Sequence, residues 1–159
     1  MAGRGTNAAN LAKDAAEKAE EDFDYDLASK LFEQAAQAYE MDNQQNLANT
    51  QWVKWADLKI LSLGESNAEF ARVIKTFEKV GFKALTSGLS KGMAKDYFFK
   101  AGLCYLANQD LVGCRAAMMN YTCEDPSWEQ DRKCKLILRL AEACDQRERD
   151  AFGRAVADF

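Results

Sequence analysis

The chain has no histidine and only one proline in 159 residues. Without imidazole there is no histidine-based triad, no histidine general base and no histidine metal ligand. No GxxxxGK[ST] loop is present to cradle a phosphate. No run approaches the roughly 18 uncharged apolar residues that span a bilayer, and no secretory apolar segment opens the sequence. The five cysteines (Cys104, Cys114, Cys123, Cys134 and Cys144) are odd in number and form no CxxC pair. Free thiols of a reducing compartment are the plain reading, and a zinc site would need four of them at unusual spacings. The net charge of −4 gives no support to generic nucleic-acid binding, which needs a positive field. Neither a cofactor nor a catalytic function is expected.

What the sequence does hold is helix-forming. Hydrophobic residues are 48% and charged residues 29% of the chain. Both signs of charge are spread along it, as on solvated helices around a continuous core. Residues 1–6 are small and are read as a flexible lead or a cloning remnant, and 7–159 as one helical repeat domain. Apolar periodicity predicts helices at about 7–22, 25–40, 44–63, 67–86, 93–107, 110–122, 127–146 and 148–158.

In the first helix Ala8, Ala12, Ala15, Ala16 and Ala19 are assigned to one inward face. In the second, Leu27, Ala28, Leu31, Phe32, Ala35 and Tyr39 face inward. Gly64 suits a helix stop, and Ser66-Asn67-Ala68-Glu69 reads as a capping box for the next start. Gly81 is expected to bend or weaken the fourth helix. The fifth is apolar on two sides, with Tyr97, Phe98, Ala101 and Tyr105 on one and Phe99, Leu103 and Leu106 on the other. Such a helix is sandwiched between neighbours. Asp110 is a candidate cap for the sixth. Pro126 marks the start of the seventh, with Asp125 or Ser127 as its cap.

A spacing recurs. Ala28, Phe32 and Ala35 are separated by four and then three; Val73, Phe77 and Val80 repeat this, and so do Cys114, Met118 and Tyr121. Small–aromatic–small at this spacing is a feature of the second helix of the TPR repeat, although an ordinary bundle periodicity also produces it. Alternating short turns and helix pairs favour the solenoid. The expected fold is all-α: a TPR-like right-handed superhelix of antiparallel helix hairpins, with Phe32, Phe77 and Tyr97 buried between hairpins.

The run Ala94-Lys95-Asp96-Tyr97-Phe98-Phe99-Lys100-Ala101-Gly102-Leu103-Cys104 resembles a hallmark stretch of the soluble NSF attachment proteins. Upstream, Phe77-Glu78-Lys79-Val80-Gly81 is similar to that family's aromatic-E-x-V-G stretch. Downstream, Asp131-Arg132-Lys133-Cys134-Lys135-Leu136 resembles its S-R-E-C-K-L run. The likeness is densest over 70–150 and thinner over 24–60.

The resemblance implies an adaptor in vesicle fusion. Several copies wrap a SNARE helical bundle and recruit the NSF ATPase that pulls it apart, in the cytoplasm and at the membrane periphery through that complex. It implies SNARE-facing roles for Lys54, Leu89, Lys95 and Arg132. Thr50 stands where a basic residue is expected one turn before Lys54. It implies an ATPase-facing acidic surface at Asp110, Glu142 and Asp145, diluted by Arg139, Arg147 and Arg149.

Beside the family the chain is about half length. The resemblance puts the membrane-touching loop at one end of a family member and the stimulating tail at the other outside it, as in a fragment or a shortened paralogue. Weak SNARE binding and no disassembly are therefore expected of this stretch alone. The other reading is a TPR-like scaffold with different partners.

Overall fold

The computed structural model describes residues 3–62, 67–87 and 91–159. The described residues form α1 (Gly3–Glu21), α2 (Tyr25–Met41), α3 (Gln45–Ser62), α4 (Asn67–Thr86), α5 (Lys91–Ala107), α6 (Leu111–Glu124), a 3₁₀ turn at Pro126–Trp128, α7 (Arg132–Asp145) and α8 (Arg149–Ala157). No strand occurs among them. The fold is all-α, built of helix hairpins, as the periodicity predicts. The Gly64 stop, the Ser66 end of the capping box and Leu89 lie outside the described residues.

One turn design joins the helices four times. Phe23, Asn43, Gln109 and Arg147 each have φ between 55° and 61°. At each, the residue after it donates its backbone N–H five residues back: Asp24 to Ala19, Gln44 to Tyr39, Asp110 to Tyr105 and Glu148 to Ala143, at 2.9–3.0 Å. The left-handed residue itself donates three back, at 3.0–3.2 Å. This is the Schellman closure, which satisfies the last carbonyls of one helix and reverses the chain within two residues. Glycine is the usual left-handed residue there, and none of these four is glycine. Asp24 and Asp110 then cap the next helix, accepting from the N–H groups of Leu27 and Gly113.

The helices fall into two compact units, Met1–Glu69 and Phe70–Phe159. In the first, α2 packs against both α1 and α3. Ala9, Ala16, Ala19, Ala28, Ala35, Ala36, Ala48 and Ala56 are buried there, beside Phe32, Tyr39 and Trp55. The inward face of α1 is rotated from the expected one: Ala9, Ala16 and Ala19 are buried, while Ala8 and Ala15 are exposed. With alanines this dense, several faces fit equally and only the neighbour decides. Leu27 is exposed rather than inward. Helix α1 also takes in Gly3 to Thr6, placed ahead of it by the sequence; Thr6 donates to the Asp42 carboxylate on the far turn.

The second unit has an aromatic core. The Phe98 ring stacks on Tyr121 at 4.3 Å and meets Phe82 at 5.3 Å and Trp128 at 5.8 Å. Gly81 sits within a continuous α4, and a Cβ there would lie 2.7 Å from the Phe98 ring. Its role is to admit that ring, not to break the helix. Gly102 is used similarly, with Ile137 and Met118 3.1 Å from where its Cβ would be. Helix α5 is buried on two sides, with Phe98 and Ala101 in the core and Phe99 and Leu106 packed on Leu136, Leu140 and Ala155 of α7 and α8, but Leu103, expected beside them, is exposed. Helix α5 touches α7 as well as α6, the layering expected of stacked hairpins.

The repeat triplets are buried except for Val80, which is half-buried. Tyr97 is also half-buried, its ring stacked on Phe77 at 6.5 Å. Pro126 opens only the 3₁₀ turn, capped by Asp125. Helix α7 starts later than predicted, at Arg132, behind Asp131, which accepts from the Lys133 N–H.

Candidate functional site

Of the four residues on the predicted cationic surface, Lys54 belongs to the first unit and Lys95 and Arg132 to the second. Lys54 projects from α3, with its ammonium 5.2 Å from the Phe32 ring centre. Lys100 of α5 stands over Phe77 in the same way at 5.5 Å. Each lysine therefore covers the central aromatic of a repeat triplet, a packing role worth about 0.5–1 kcal/mol where exposed. Thr50 turns its hydroxyl back onto the Asn46 carbonyl at 3.1 Å.

In the second unit Lys95 and Arg132 are connected through Asp131. Lys95 leaves the first turns of α5 and reaches Asp131, the cap of α7, at 3.4 Å. Arg132 is the next residue. Its guanidinium donates to the Phe159 main-chain oxygen and lies 4.8 Å from the Phe159 ring centre. That ring also stacks on Phe99 at 5.8 Å. Beside Lys95, Asp96 pairs with Lys133. A small groove of about 170 Å³ continues along α7 between Arg132, Lys135, Arg139 and the end of α8. Sequence reading missed Asp96, Asp131 and Lys133 as members of this surface. Each pairs with a residue of a different helix hairpin, so no local pattern marks them.

Of the three acidic candidates, Glu142 and Asp145 lie close enough to share one arginine. Glu142 and Asp145 are exposed on α7, and Arg115 of α6 reaches both, at 3.4 and 3.3 Å. Asp110 is occupied as the α6 cap, bound to the Gly113 N–H at 2.8 Å. Its neighbours Gln109 and Leu111 line the same groove of about 630 Å³ as Asp145 and Arg147. Of the three arginines expected to dilute the field, Arg139 instead pairs with Asp158 at 3.1 Å. The residue that does bridge the acids, Arg115, was not singled out in the sequence.

A polar link joins α4, α5 and α6 in the second unit. Glu78 of α4 accepts from Tyr121 at 2.6 Å and from Tyr105 at 3.2 Å. Burial, then Glu78, pushes the Tyr105 phenol up to about 12. The same two causes push the more deeply buried Tyr121 up further, since both favour the neutral phenol. Burial likewise raises the Cys114 and Cys134 thiols from 9.0 to about 11, which makes them poor nucleophiles. Among the described residues no three His, Cys, Asp or Glu side chains are grouped to hold a metal ion, and no helix is long and apolar enough to cross a membrane. The two surfaces are suited to charged protein contacts.

Comparison with known proteins agrees with the family resemblance. The family model described as "Soluble NSF attachment protein, SNAP" matches residues 1–159. A probable vesicular-fusion protein sec17 homolog of Neurospora crassa is 36% identical over 132 residues, 83% of this chain and 44% of the relative. The alpha-soluble NSF attachment protein of Mus musculus is 32% identical over 136 residues, 86% of this chain and 44% of the relative. That of Dictyostelium discoideum is 29% identical over 157 residues, 99% of this chain and 52% of the relative. The chain thus spans about half the length of the relatives it matches. With a family model covering every residue, and two such relatives aligned over most of its length, the chain belongs to the soluble NSF attachment protein family.

Proposed function

We propose that this chain is an adaptor module of vesicle fusion, not an enzyme. It offers Lys54 of the first unit and Lys95 and Arg132 of the second, with Leu89, to the acidic outside of a SNARE helical bundle. It offers Asp110, Glu142 and Asp145 to an NSF-type AAA ATPase. It works in the cytoplasm and meets membranes peripherally, through that complex. Family membership supports the vesicle-fusion role. The observation that carries the cationic assignment is that Lys95 of α5 reaches Asp131, the residue before Arg132, while Lys133 reaches Asp96 beside Lys95. Charges at such a wet surface steer association and set its salt dependence more than they add affinity.

The test is sedimentation with assembled SNARE complex at low salt. Lys95→Glu combined with Arg132→Glu is expected to weaken binding about tenfold, equivalent to about 1.4 kcal/mol, without lowering the thermal midpoint by more than a few degrees. Binding that is unchanged at low salt removes the assignment. Absence of SNARE binding in the unmutated chain favours a TPR-like scaffold for other partners.

A further inference from the structure

The lysines of the second unit's cationic surface are already engaged. Lys95 and Asp96 are adjacent on α5, and Asp131 and Lys133 flank Arg132 at the start of α7. The pairs are crossed: Lys95 with Asp131, and Asp96 with Lys133. All four side chains keep contact with solvent, with 26% of Lys95, 22% of Asp131, 32% of Lys133 and 57% of Asp96 exposed. Partly exposed pairs of this kind are weak, so either carboxylate can be replaced by one from outside. Arg132 lies between Asp131 and Lys133 in sequence and is held by the Phe159 main-chain oxygen and ring, so its charge is not spent on either carboxylate of the tetrad.

We propose that this tetrad is a carboxylate-exchange site. Two acids of an acidic helical partner take over Lys95 and Lys133, displacing Asp131 and Asp96, while Arg132 makes the first contact. The proposal rests on the SNARE-adaptor reading for its partner. It adds Lys133 to the contact residues, and it makes Asp131 and Asp96 internal competitors that set selectivity. A partner with one acid cannot release both lysines. A helix with acids at i and i+4 presents two on one face. Exchange replaces one ion pair by another, so it predicts a shallow salt dependence.

The experiment uses the full chain with two substitutions. Asp131→Ser removes the competing charge and keeps a good N-cap, so α7 stays anchored. Asp96→Asn removes the other. Each is expected to raise affinity for assembled SNARE complex about two- to fivefold and to steepen its loss with salt. Lys133→Gln should lower affinity by a similar factor. Poly-glutamate is the second probe, since it offers carboxylates without SNARE-specific contacts. Tighter binding of either probe by both aspartate variants supports the exchange site. If SNARE complex binds and neither probe responds to the substitutions, the exchange site is wrong and the adaptor reading stands. If SNARE complex binds no form of the chain, the adaptor reading falls and poly-glutamate alone decides the exchange site.

Discussion

The two units solve the same construction problem with one set of joints and two kinds of filling. Each has two Schellman turns with a non-glycine residue in the left-handed conformation, at Phe23 and Asn43 in the first and Gln109 and Arg147 in the second. Each places a lysine of the following helix over the central aromatic of a repeat triplet. The interiors differ. The first unit relies on alanines and admits Ser29, Asn49 and Gln51 among its buried residues; the second stacks Phe98, Tyr121 and Trp128, and its buried residues, among those described, are apolar apart from its thiols and Tyr121. The repeat is therefore marked by its turns and, in two of its three triplets, by a central aromatic, with Met118 in that place in the third. The residues between are free to follow local demands, which in the second unit include holding two charged surfaces at its edge.

If the aromatic stack is what makes the second unit rigid, its loss should have the largest effect. Phe98 is a fully buried ring with three aromatic neighbours. Phe98→Ala is expected to cost about 3–5 kcal/mol. Phe77→Ala should fall in the same range. Gly81→Ala pushes a Cβ against Phe98. It is expected to cost about 1–3 kcal/mol, unlike an ordinary glycine-to-alanine change in a helix, which stabilises. Urea unfolding reads all three. A loss below about 1 kcal/mol for Phe98→Ala would show that the stack is not the core of this unit.

How far the sequence reveals this design varies by residue. The triplets and the limits of α4 were legible because apolar spacing there is regular. The face of α1 was not, because six alanines from Ala8 to Ala19 make the helix small on every side. Gly81 was misread because a glycine's local effect is visible in sequence, whereas the ring that needs the space belongs to Phe98 on the next helix. Pro126 was misread because proline starts a 3₁₀ turn as readily as an α-helix, and the true cap, Asp131, lies beyond it. The four joints left no glycine to mark them. Of the proposed binding residues, family resemblance supplied the candidates, and only the fold supplied Arg115 and Asp131 as their partners, with the Asp96–Lys133 pair alongside.

The shared joints can be tested in both units at once. An L-residue in the left-handed region is disfavoured by roughly 1–2 kcal/mol, part of which glycine gives back through its freedom when unfolded. Phe23→Gly and Arg147→Gly should each stabilise the chain by up to about 1 kcal/mol in the same urea assay. Stabilisation by one and not the other would separate turns that the hydrogen bonds make equivalent.

A pH scan probes the difference again, because every cysteine lies in the second unit. Cys114 and Cys134 hold their protons to about 11 when folded, while the unfolded thiols ionise near 9.0. Between those values the unfolded chain binds fewer protons, so stability falls as pH rises from about 9 to 11 and is fully present below 9. Cys114→Ala should flatten that part of the profile. An unchanged slope would mean that the thiol titrates alike in both states.

The smallest stability effect is expected at Arg115, and it bears on why acids and cations sit so close in the second unit. Its guanidinium is 39% exposed and spans Glu142 and Asp145, both more than half exposed. Solvent screening keeps such bridges near about 0–1 kcal/mol, and Arg115→Ala should change the unfolding free energy by no more than about 0.5 kcal/mol. Its effect on association should be larger. Removing one positive charge from between two carboxylates strengthens the local negative field, and a cationic partner surface is then captured faster. If these acids face an NSF-type ATPase as proposed, association with it should speed up about two- to threefold at low salt, and the gain should vanish as added salt shortens the screening length towards about 3 Å. Stopped-flow mixing across a salt series measures this. Slower association would show that Arg115 serves the partner by holding Glu142 and Asp145 in place. The acids would then act as a fixed pair, not as a diffuse field.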